Sequence, residues 1–461
     1  MGISMTEIIA TNRSTAVIGM GATGLSVARF LSSKSIPFIL IDSRNEPPNI
    51  DNVKRDYPDV KVVLGPLDSD YLSHFERLII SPGVALSDPA LQAAKENGVE
   101  LTGDLELFLE HAEAPVIAIT GSNGKSTVTT LVGQMAIDSG LRVGVGGNLG
   151  IPMLDLLEQD NQLYVLELSS FQLELLDDSR GATVALLNIS SDHLDRYQGL
   201  QQYHAAKHRI FRGASKVVIN RDDKLTRPLL SAQISLTSFG LNQPDLGDFG
   251  ILGDAEEGYL SYGIERLMLI DELALKGSHN VANALAALAL GYSADLPMQS
   301  MLQTLRKFKG LPHRCQNVAE IDGVLYIDDS KATNVGATVA AISGLGSKHC
   351  KNLILIAGGQ AKGQDFSDLQ ENISQYVKLT ILMGEDSHQI EHLLNSENTH
   401  TKVNSMREAV TRAGTEASCG DIVLLSPACA SFDMFDGFEH RGQCFQEVVS
   451  ERIIKGFGGA E

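Results

Sequence analysis

A glycine-rich turn between an apolar strand and a helix is the feature that most constrains this chain. Residues 116–120 read Val-Ile-Ala-Ile-Thr, a β-branched run typical of a buried parallel strand. Residues 121–127, Gly-Ser-Asn-Gly-Lys-Ser-Thr, then lead into a helical run at 128–137. Backbone N–H groups at such a helix start attract a polyphosphate, Lys125 adds a full charge, and the Ser126 hydroxyl is a ligand for Mg²⁺. The stretch therefore predicts a nucleotide phosphate loop in an α/β sheet.

This turn is shorter than the usual phosphate-loop pattern. The pattern G-x-x-x-x-G-K-[ST] would require glycine where Ile119 stands, and the chain has G-x-x-G-K-S instead. The alternative is a glycine turn that carries a solvated lysine. Because the strand, Lys125 and Ser126 all occupy the positions that a phosphate loop requires, the nucleotide loop is favoured.

Length and charge exclude several classes of protein. The 461 residues predict roughly three domains of ~150 residues each. A formal charge of −20 argues against a general binder of nucleic acid or of anionic membranes. An anionic substrate would therefore have to be held by local lysines, arginines, helix N-termini and Mg²⁺.

The sequence predicts a cytoplasmic protein without membrane insertion. No apolar run approaches the ~20 residues that span a bilayer, and residues 1–12 lack the basic and apolar regions of a secretory signal. Five cysteines stand in the last third of the chain, at Cys315, Cys350, Cys419, Cys429 and Cys444. Reduced thiols are the simplest interpretation, and the absence of C-x-x-C spacing disfavours a zinc site.

A second glycine turn follows the first predicted strand. Residues 19–24 read Gly-Met-Gly-Ala-Thr-Gly, and the next strand ends at Asp42, which together match the dinucleotide fingerprint G-x-G-x-x-G. Three interpretations stay open: an NAD site with Asp42 on a ribose hydroxyl, a site for another nucleotide diphosphate, and a tight turn without a ligand. A strand that runs into a Ser-Pro-Gly turn at 81–83 completes a small α/β domain, predicted at 1–101.

The central domain, predicted at 102–310, carries polar residues at its strand ends. Asn148 follows a glycine-rich strand and is the expected polar contact there. Glu167 ends a buried strand, where a carboxylate is costly unless it is paired or bound to metal. His193, after the next strand, is as compatible with a loop residue as with a ligand. Lys207 falls on an apolar helical stripe, where a snorkelling side chain is the usual interpretation.

The last domain, predicted at 311–461, again alternates strands and helices. Its strands end in charged residues and glycines, but neither G-x-G-x-x-G nor G-K-[ST] occurs there. The sequence therefore predicts a second nucleotide-domain-like sheet that binds a small anion rather than a second nucleotide. Before this domain, Asn280 stands at the start of a helix that it or Ser278 could cap.

Seven motifs resemble those of the Mur ligase family, ATP-dependent amide-forming enzymes of cell-wall synthesis. In chain order they are T-G-S-N-G-K-S-T, L-E-L-S-S-F-Q-L-E, D-H-L-D-R-Y, H-N-V-A-N-A-L-A-A, G-L-P-H-R, D-D-S-K-A-T-N and S-P-A-C-A-S-F-D. The resemblance covers the whole chain and is strongest to members that add D-glutamate to UDP-N-acetylmuramoyl-L-alanine. It implies an α/β protein of three domains: a Rossmann-like UDP-binding domain, a central P-loop-type ATPase domain and a C-terminal Rossmann-like domain for the amino acid.

The resemblance also implies a role for individual residues. Contacts to the UDP substrate would come from Thr23, Asp42, Ser43, Ser81, Gly83 and Asn148. The ATP site would comprise Gly121, Ser122, Asn123, Gly124, Lys125, Ser126, Thr127, Asn280, Arg314 and Asp329. D-Glutamate would meet Lys331, Thr333, Lys362, Ser431 and Phe438. The metal would be bound by Ser126, Glu167, His193 and a carbamylated Lys207, and the catalytic residues would be Lys125, His193 and Lys207. Phe432 departs from the small aliphatic residue of many relatives.

The implied reaction uses ATP to convert the alanyl carboxylate into an acyl phosphate, which the amine of D-glutamate attacks. Carboxylate and triphosphate are both anions, so Mg²⁺, or Mn²⁺ as the alternative ion, would act with Lys125 and Arg314 to neutralise their encounter. Beside the metal, repulsion between the two cations would lower the pKa of Lys207 and favour its neutral amine. That amine would add CO₂ and become a carbamate, whose oxygens are ligands that Mg²⁺ prefers. The enzyme would serve peptidoglycan precursor synthesis as a monomer that binds small molecules and no nucleic acid.

Three other functions remain open. Folylpolyglutamate synthase has a similar loop but no reason to carry a UDP-type first domain. An NAD-dependent oxidoreductase would use residues 19–24 and leave Lys125 unexplained. A non-catalytic nucleotide-binding regulator would keep the loop but would not need Glu167, His193 and Lys207 together.

Overall fold

A computed structural model describes residues 15–193, 196–229, 234–253, 258–347, 349–396 and 398–457. Residues 1–12, which bear on the secretory signal, lie outside this range. The described residues form two compact units. The first contains the chain up to Ile189 together with His204–Glu272 and Asn283–Arg306. The second contains Ser190–Tyr203, Leu273–Ala282 and the chain from Lys307 onward.

The first sheet belongs to the first unit and is parallel throughout. Its strands, β1 to β5 in chain order, are Thr15–Ile18, Phe38–Asp42, Val62–Leu64, Arg77–Ile80 and Glu100–Thr102. Helices Ala22–Ser33, Ile50–Asp56, Ser69–Leu72 and Pro89–Glu96 alternate with them. The spatial order is β3-β2-β1-β4-β5, so the order reverses between β1 and β4. Ligands of open α/β sheets bind at such a point, and the turns at 19–24 and 81–83 both lie there.

The central sheet also belongs to the first unit. Its strands, β6 to β14, are Val116–Thr120, Val143–Gly147, Leu163–Glu167, Thr183–Leu186, Lys216–Asn220, Ser235–Phe239, Phe249–Leu252, Tyr259–Tyr262 and Glu265–Leu269. The order is β14-β13-β12-β11-β10-β9-β6-β8-β7, parallel from β7 to β12 and antiparallel beyond. The strand β6 lies between β8 and β9, so the carboxyl ends of these three strands meet at one edge.

Among the described residues, six helices lie between residues 104 and 307 of the chain. They are Asp104–His111, Lys125–Asp138, Ser170–Leu173, Leu200–His208, Ser278–Ser293 and Met298–Lys307, with 3-10 turns at Met153–Glu158, Arg209–Phe211, Lys224–Thr226 and Ile270–Glu272. The helix after the phosphate loop begins at Lys125 rather than at 128, because Gly124 already occupies the cap position. Ser26 Oγ donates to Asp155 Oδ1 at 2.7 Å, which links the first helix to the central region of the same unit.

The third sheet belongs to the second unit. Its strands, β15 to β20, are Gln316–Ile321, Val324–Asp328, Leu353–Ala357, Val377–Leu382, His400–Lys402 and Ile422–Leu425, in the order β15-β16-β20-β17-β18-β19. All neighbours are parallel except β15 and β16. Helices Val335–Leu345, Asp368–Tyr376, Ser387–Glu391, Met406–Glu416 and Phe438–Phe457 cover its faces. The strand β17 is buried along its whole length because apolar clusters pack on both faces.

The expected α/β architecture with three sheets is confirmed. The domain boundaries predicted at residues 101 and 310 stay predictions. The two compact units do not coincide with the three predicted domains. Among the helices that the structure describes, none combines the length and the apolar character that a membrane span requires.

Candidate active site

The phosphate loop lies where β6 meets a helix of the central sheet. All five residues of β6 are buried, and the helix Lys125–Asp138 begins directly after Gly124. Gly124 has φ +81°, which glycine adopts without strain, and a Cβ there would lie 2.5 Å from Asn283 Oδ1. Ser126 and Thr127 are buried in the first turn. Backbone N–H groups of a first turn have no partner within the helix, so this turn can bind phosphate oxygens.

Two lysines donate to one carbonyl of this loop. Lys125 Nζ lies 2.8 Å from Gly121 O and 2.9 Å from Ser122 O. Lys207 Nζ lies 2.8 Å from the same Gly121 O and 3.3 Å from Thr120 Oγ1. Lys207 is only 1% exposed, so the snorkelling interpretation is wrong: its side chain is buried, as are Tyr203 and Phe211 of the same stripe. The loop therefore holds two lysine amines at one carbonyl oxygen.

Thr120 connects Lys207 to the strand that ends in Glu167. The Thr120 hydroxyl donates to Leu168 O at 2.8 Å, which leaves its lone pairs to accept from Lys207. Glu167 is 3% exposed, and its Oε1 accepts from Asn148 Nδ2 at 2.8 Å. The Asn148 N–H also donates to Glu167 O at 2.8 Å. The Asn148 amide thus holds the carboxylate, and its contact with the sugar stays a prediction.

Two of the residues predicted for the metal are of a type that fits a hard divalent cation. The Glu167 carboxylate and the Ser126 hydroxyl are both buried oxygen donors, which Mg²⁺ prefers. Within the part of the chain that the structure describes, no group of three or more His, Cys, Asp or Glu side chains could hold a metal by itself. The resemblance adds Lys207, as a carbamate, to the predicted ligands.

His193 belongs to the second compact unit. It has φ +54°, and its N–H donates to Asp192 Oδ1 at 2.9 Å. Asp192 Oδ2 accepts in turn from Asn334 Nδ2 at 3.2 Å, so the turn before His193 is tied to the last domain. Glu167 and Lys207 belong to the first unit, and their joint metal site with His193 stays a prediction.

Asp329 and Arg314 lie together in the second unit. Asp329 is buried, and its carboxylate accepts from Cys315 N–H at 3.2 Å and from Ser426 Oγ at 2.8 Å. Burial raises the pKa of Asp329 to about 7, although these two hydrogen bonds and the charge of Arg314 oppose the rise. A buried carboxylate beside an arginine can accept from a ribose hydroxyl while the arginine meets phosphate.

Asn280 lies inside the helix Ser278–Ser293. The helix begins at Ser278, so neither residue precedes it as a cap, and the capping interpretation is wrong. Asn280 Nδ2 donates to Lys276 O at 2.9 Å, which holds the side chain against the segment before the helix. The predicted contact with adenine stays a prediction.

Lys331 contacts an aromatic ring that the sequence also predicts to meet D-glutamate. Its Nζ lies 3.6 Å from the centroid of the Phe438 ring, a cation–π contact. Thr333 N–H donates to Lys331 O at 2.8 Å, and Ser330 Oγ donates to Phe438 O at 2.9 Å. The buried Arg441 donates to Ser330 O at 2.8 Å and so fixes the same loop. The structure therefore brings three of the predicted residues together.

The loops after β17 and β20 carry the remaining residues predicted for D-glutamate. Each loop donates to the other, with Gln360 N–H 3.0 Å from Ala430 O and Ala430 N–H 2.9 Å from Gln360 O. Lys362 follows in the first loop with φ +51°, and the buried Ser431 follows in the second. Phe432 is 67% exposed, and nothing in the structure explains its bulk there.

Asp42 holds the glycine turn of the first sheet. Its Oδ2 accepts from Met20 N–H at 2.7 Å and Arg44 Nη2 at 2.8 Å, and its Oδ1 accepts from Arg44 N–H and Nε. Burial alone would raise the pKa of Asp42, but the hydrogen bonds from Arg44 and Met20 outweigh it and lower the pKa. Four protein donors already bind its two oxygens, so a contact of Asp42 with a nucleotide stays a prediction, for the ribose of NAD and for the UDP substrate alike.

Apart from Asn148, which follows β7 of the central sheet, the other residues predicted for the UDP substrate also stand at the carboxyl ends of β1, β2 and β4. Ser81 Oγ donates to Gly19 O at 3.2 Å, so the turns after β1 and β4 touch each other. The remaining predicted contacts follow these strands: Thr23, Ser43 and Gly83. The structure thus gathers these positions at one edge of the first sheet.

Sequence reasoning missed the side chains that hold the phosphate loop. Asn188 Oδ1 accepts from Asn123 N–H at 2.7 Å, and Asn188 Nδ2 donates to Asn123 O at 3.0 Å. Asn188 O also accepts from Ser122 N–H at 2.9 Å. The Asn283 side chain lies close to Gly124, where it leaves no room for a Cβ. The available signal was a polar residue directly after an apolar strand, the same signal that singled out Glu167.

Three family models match the chain in the order of its three sheets. A model described as Mur ligase MurD-like, N-terminal domain, matches residues 13–103. The Mur ligase middle domain matches residues 119–291, and the Mur ligase, glutamate ligase domain, matches residues 313–429.

Three relatives that align over almost their whole length have the same enzyme name. The chain is 52% identical over 443 residues to the UDP-N-acetylmuramoylalanine--D-glutamate ligase of Pseudomonas savastanoi pv. phaseolicola, which covers 96% of this chain and 99% of the relative. Enzymes of the same name from Pseudomonas aeruginosa and Hahella chejuensis are 49% and 48% identical, with the same coverage.

Solved structures with this architecture are also similar to the chain. A pseudomurein peptide ligase type C from Methanothermus fervidus has a TM-score of 0.60 at 20% identity and covers 95% of this chain and 100% of its own. UDP-N-acetylmuramate-alanine ligase from Thermotoga maritima has a TM-score of 0.59 at 18% identity, with coverage of 95% and 99%. At such identities the likeness shows the fold alone.

Proposed function

Because the chain belongs to the Mur ligase family, we propose that it ligates D-glutamate to UDP-N-acetylmuramoyl-L-alanine at the expense of ATP. The observation that carries this proposal is the 52% identity, over 96% of the chain, to a relative that bears the D-glutamate ligase name. Mur ligases form such amide bonds in peptidoglycan precursor synthesis. The steps below rest on the residues predicted from the sequence and on their contacts.

Nucleotide binding would begin at the phosphate loop. Lys125 rests on the carbonyl oxygens of Gly121 and Ser122, and a triphosphate would attract its amine because charge-assisted hydrogen bonds are the stronger ones. The first turn of the following helix would add backbone N–H donors. With Lys125 and Arg314 reducing the repulsion, a carboxylate oxygen of the alanyl group attacks the γ-phosphorus, and the bond from that phosphorus to ADP breaks.

The amino acid would enter at the third sheet. Lys331 and Lys362 supply positive charge and Thr333 and Ser431 supply hydroxyl donors for the two carboxylates of D-glutamate. Its amine attacks the carbonyl carbon of the acyl phosphate, the C–N bond forms, phosphate leaves with the C–O electrons, and the amine releases a proton. An acyl phosphate hydrolyses easily, so the loops that carry these residues would have to exclude water.

Mg²⁺, with Mn²⁺ as the alternative, would be held by Ser126, Glu167, His193 and Lys207. When bound, such an ion supplies positive charge that offsets the repulsion between triphosphate and carboxylate. Lys207 would act as a carbamate, formed when its neutral amine attacks CO₂, an N–C bond forms and a proton leaves. Its burial beside the amine of Lys125 supports this proposal, because a carbamate there is an anion that a protonated Lys125 would attract.

The proposed partners are small molecules only: ATP, D-glutamate and UDP-N-acetylmuramoyl-L-alanine. We assign the enzyme to the cytoplasm, a reducing compartment in which thiols stay unpaired, and all five cysteines are free thiols. The proposed residues come from one chain, so a monomer would suffice for activity.

Phosphate release tests the proposal and separates it from its alternatives. We expect release only when ATP, UDP-N-acetylmuramoyl-L-alanine and D-glutamate are all present, together with a UDP-linked product heavier by one glutamyl residue. A folylpolyglutamate synthase would instead require a folate acceptor, and an oxidoreductase would change the absorbance of NAD. A non-catalytic regulator would bind ATP, but the UDP substrate and D-glutamate would not cause it to release phosphate. Release that is independent of D-glutamate would overturn the proposal.

A further inference from the structure

Asn188 forms three hydrogen bonds with the tip of the phosphate loop. Its side chain binds both backbone groups of Asn123, with the N–H at 2.7 Å and the carbonyl at 3.0 Å. Its own carbonyl accepts from Ser122 N–H at 2.9 Å. One residue, two positions after β9, thus binds two consecutive residues of a loop that starts and ends with glycine.

This contact matters because glycine on either side of the pair restricts the loop backbone very little. Gly121 and Gly124 lie on either side of the pair and lack the side chains that restrict φ and ψ. A phosphate site needs several N–H groups aimed at one place, and ordering them at the moment of binding would reduce affinity. The loop that Asn188 holds is already ordered in this way.

The hydrogen bonds to Asn188 also determine which backbone N–H groups of the loop can bind the phosphates of the nucleotide. The N–H groups of Ser122 and Asn123 both donate to Asn188. Phosphate oxygens would therefore be bound by N–H groups from Gly124 onward, together with the amine of Lys125. We propose that Asn188 is a positioning residue for ATP, which presets this part of the loop without touching the reacting atoms. The inference rests on the proposed function, because it takes ATP as the substrate.

A second asparagine provides a matched control. Asn220 ends β10, the strand beside β9, and its Nδ2 donates to Leu187 O at 2.9 Å while its Oδ1 accepts from Asp222 N–H at 2.9 Å. It is therefore an amide in an equivalent place that bonds backbone groups outside the phosphate loop. Asn188→Ala and Asn220→Ala remove similar hydrogen bonds, so they separate loss of stability from loss of loop positioning.

Steady-state kinetics of the full chain test the proposal. For Asn188→Ala we expect KM for ATP to rise about tenfold or more, the scale of one or two lost buried hydrogen bonds, with KM for D-glutamate almost unchanged. Calorimetric binding of ADP should weaken by a similar factor. Asn220→Ala should lower the thermal midpoint comparably while its KM for ATP stays near that of the wild type. Equal nucleotide affinity in the two variants would overturn the inference.

Asn188→Asp adds a pH-dependent measurement that a general loss of stability would not change. A protonated carboxyl group can replace the amide, because its O–H can donate to Asn123 O while its C=O accepts from Asn123 N–H. The ionised form can only accept, so it repels that carbonyl and adds a negative charge near the triphosphate. The kcat/KM for ATP of Asn188→Asp, relative to the wild type, should therefore rise as the pH falls from about 8.5 to about 6.

These measurements also separate the inference from the proposed function. The role of Asn188 would be contradicted if kcat/KM for ATP of Asn188→Asp, relative to the wild type, did not change with pH. This result does not depend on whether Asn188→Ala folds. If the wild type bound ADP tightly but released no phosphate with D-glutamate, the proposed function would fail, and the binding data would still decide the inference. If the wild type bound no nucleotide, both would fail.

Discussion

Lys125 and Lys207 donate to the same oxygen atom, Gly121 O, each from 2.8 Å. The two amines come from different helices, one at the phosphate loop and one on the buried face of Leu200–His208. Two amines are thereby held close to one carbonyl oxygen of the phosphate loop. An anion at this place, whether a phosphate of ATP or a carbamate on Lys207, would accept charge-assisted hydrogen bonds from a protonated amine.

Replacement of Lys125 tests the phosphate loop. Lys125→Ala should lower kcat/KM for ATP by roughly 10²–10³-fold, because a charged donor to the reacting phosphate is lost. The fold should persist, since the hydrogen bonds of Lys125 to Gly121 and Ser122 lie at a loop. Circular dichroism checks the fold, and Lys95→Ala on an exposed helix surface is the control. Near-normal turnover of Lys125→Ala would remove the nucleotide assignment.

Replacement of Lys207 tests its modification. Lys207→Ala should be nearly inactive, because a buried amine that would become a metal ligand is removed. Acetate or propionate should restore part of the activity, since a short carboxylic acid can supply the two oxygens of a carbamate. The same acids should not rescue Lys125→Ala, whose lost group is a cation. Full activity of Lys207→Ala, or no change in the wild type after CO₂ is stripped away, would speak against a carbamate.

The choice of amino acid tests the third sheet. D-Glutamate should be used at least ~100-fold better than D-alanine, because cations placed for a second carboxylate lose their partner with the smaller substrate. Lys362→Ala should reduce this preference mainly by raising KM for D-glutamate. Competition between the two amino acids, followed by mass analysis of the products, measures the ratio. Equal use of both would mean that this loop binds something else.

The stability of the central domain should depend on pH through Asp104. This carboxylate is 3% exposed, and its Oδ2 accepts from Gln172 Nε2 at 3.1 Å. Burial raises the pKa of Asp104 from 3.8 to about 6, although the bond from Gln172 opposes the rise. The folded state therefore binds the proton more tightly than the unfolded chain, and stability is lost as the pH rises from about 4 through about 6.

Asp104→Asn removes this ionisation while it keeps the acceptor for Gln172. At pH 8 the variant should exceed the wild type by on the order of 2–3 kcal/mol in the free energy of unfolding, and the difference should vanish near pH 4. Urea unfolding across this pH range measures it, with the exposed Asp51→Asn as the control. A constant difference at every pH would show that the Asp104 carboxylate does not titrate as described.

Local patterns were enough to predict the architecture. The apolar runs that begin at 116, 163 and 353 become β6, β8 and β17, because a strand covered on both faces must be apolar along its length. The glycine turn and Lys125 were equally readable, since the strand, the loop and the helix that form them are adjacent in the chain. These features depend on contacts between near neighbours, so one short stretch of sequence contains all of the required information.

The roles of Lys207 and Asn188 were decided by tertiary structure. Helical spacing placed Lys207 on an apolar face, but spacing does not tell which element packs over that face, and the amine meets Gly121, 86 positions away. Asn188 binds Asn123, 65 positions away, only because β9 lies directly beside β6 in the sheet. Sequence periodicity reports the direction of a side chain relative to its own helix or strand. Its hydrogen-bonding partner and its burial depend on the strand order, which the folded sheet alone establishes.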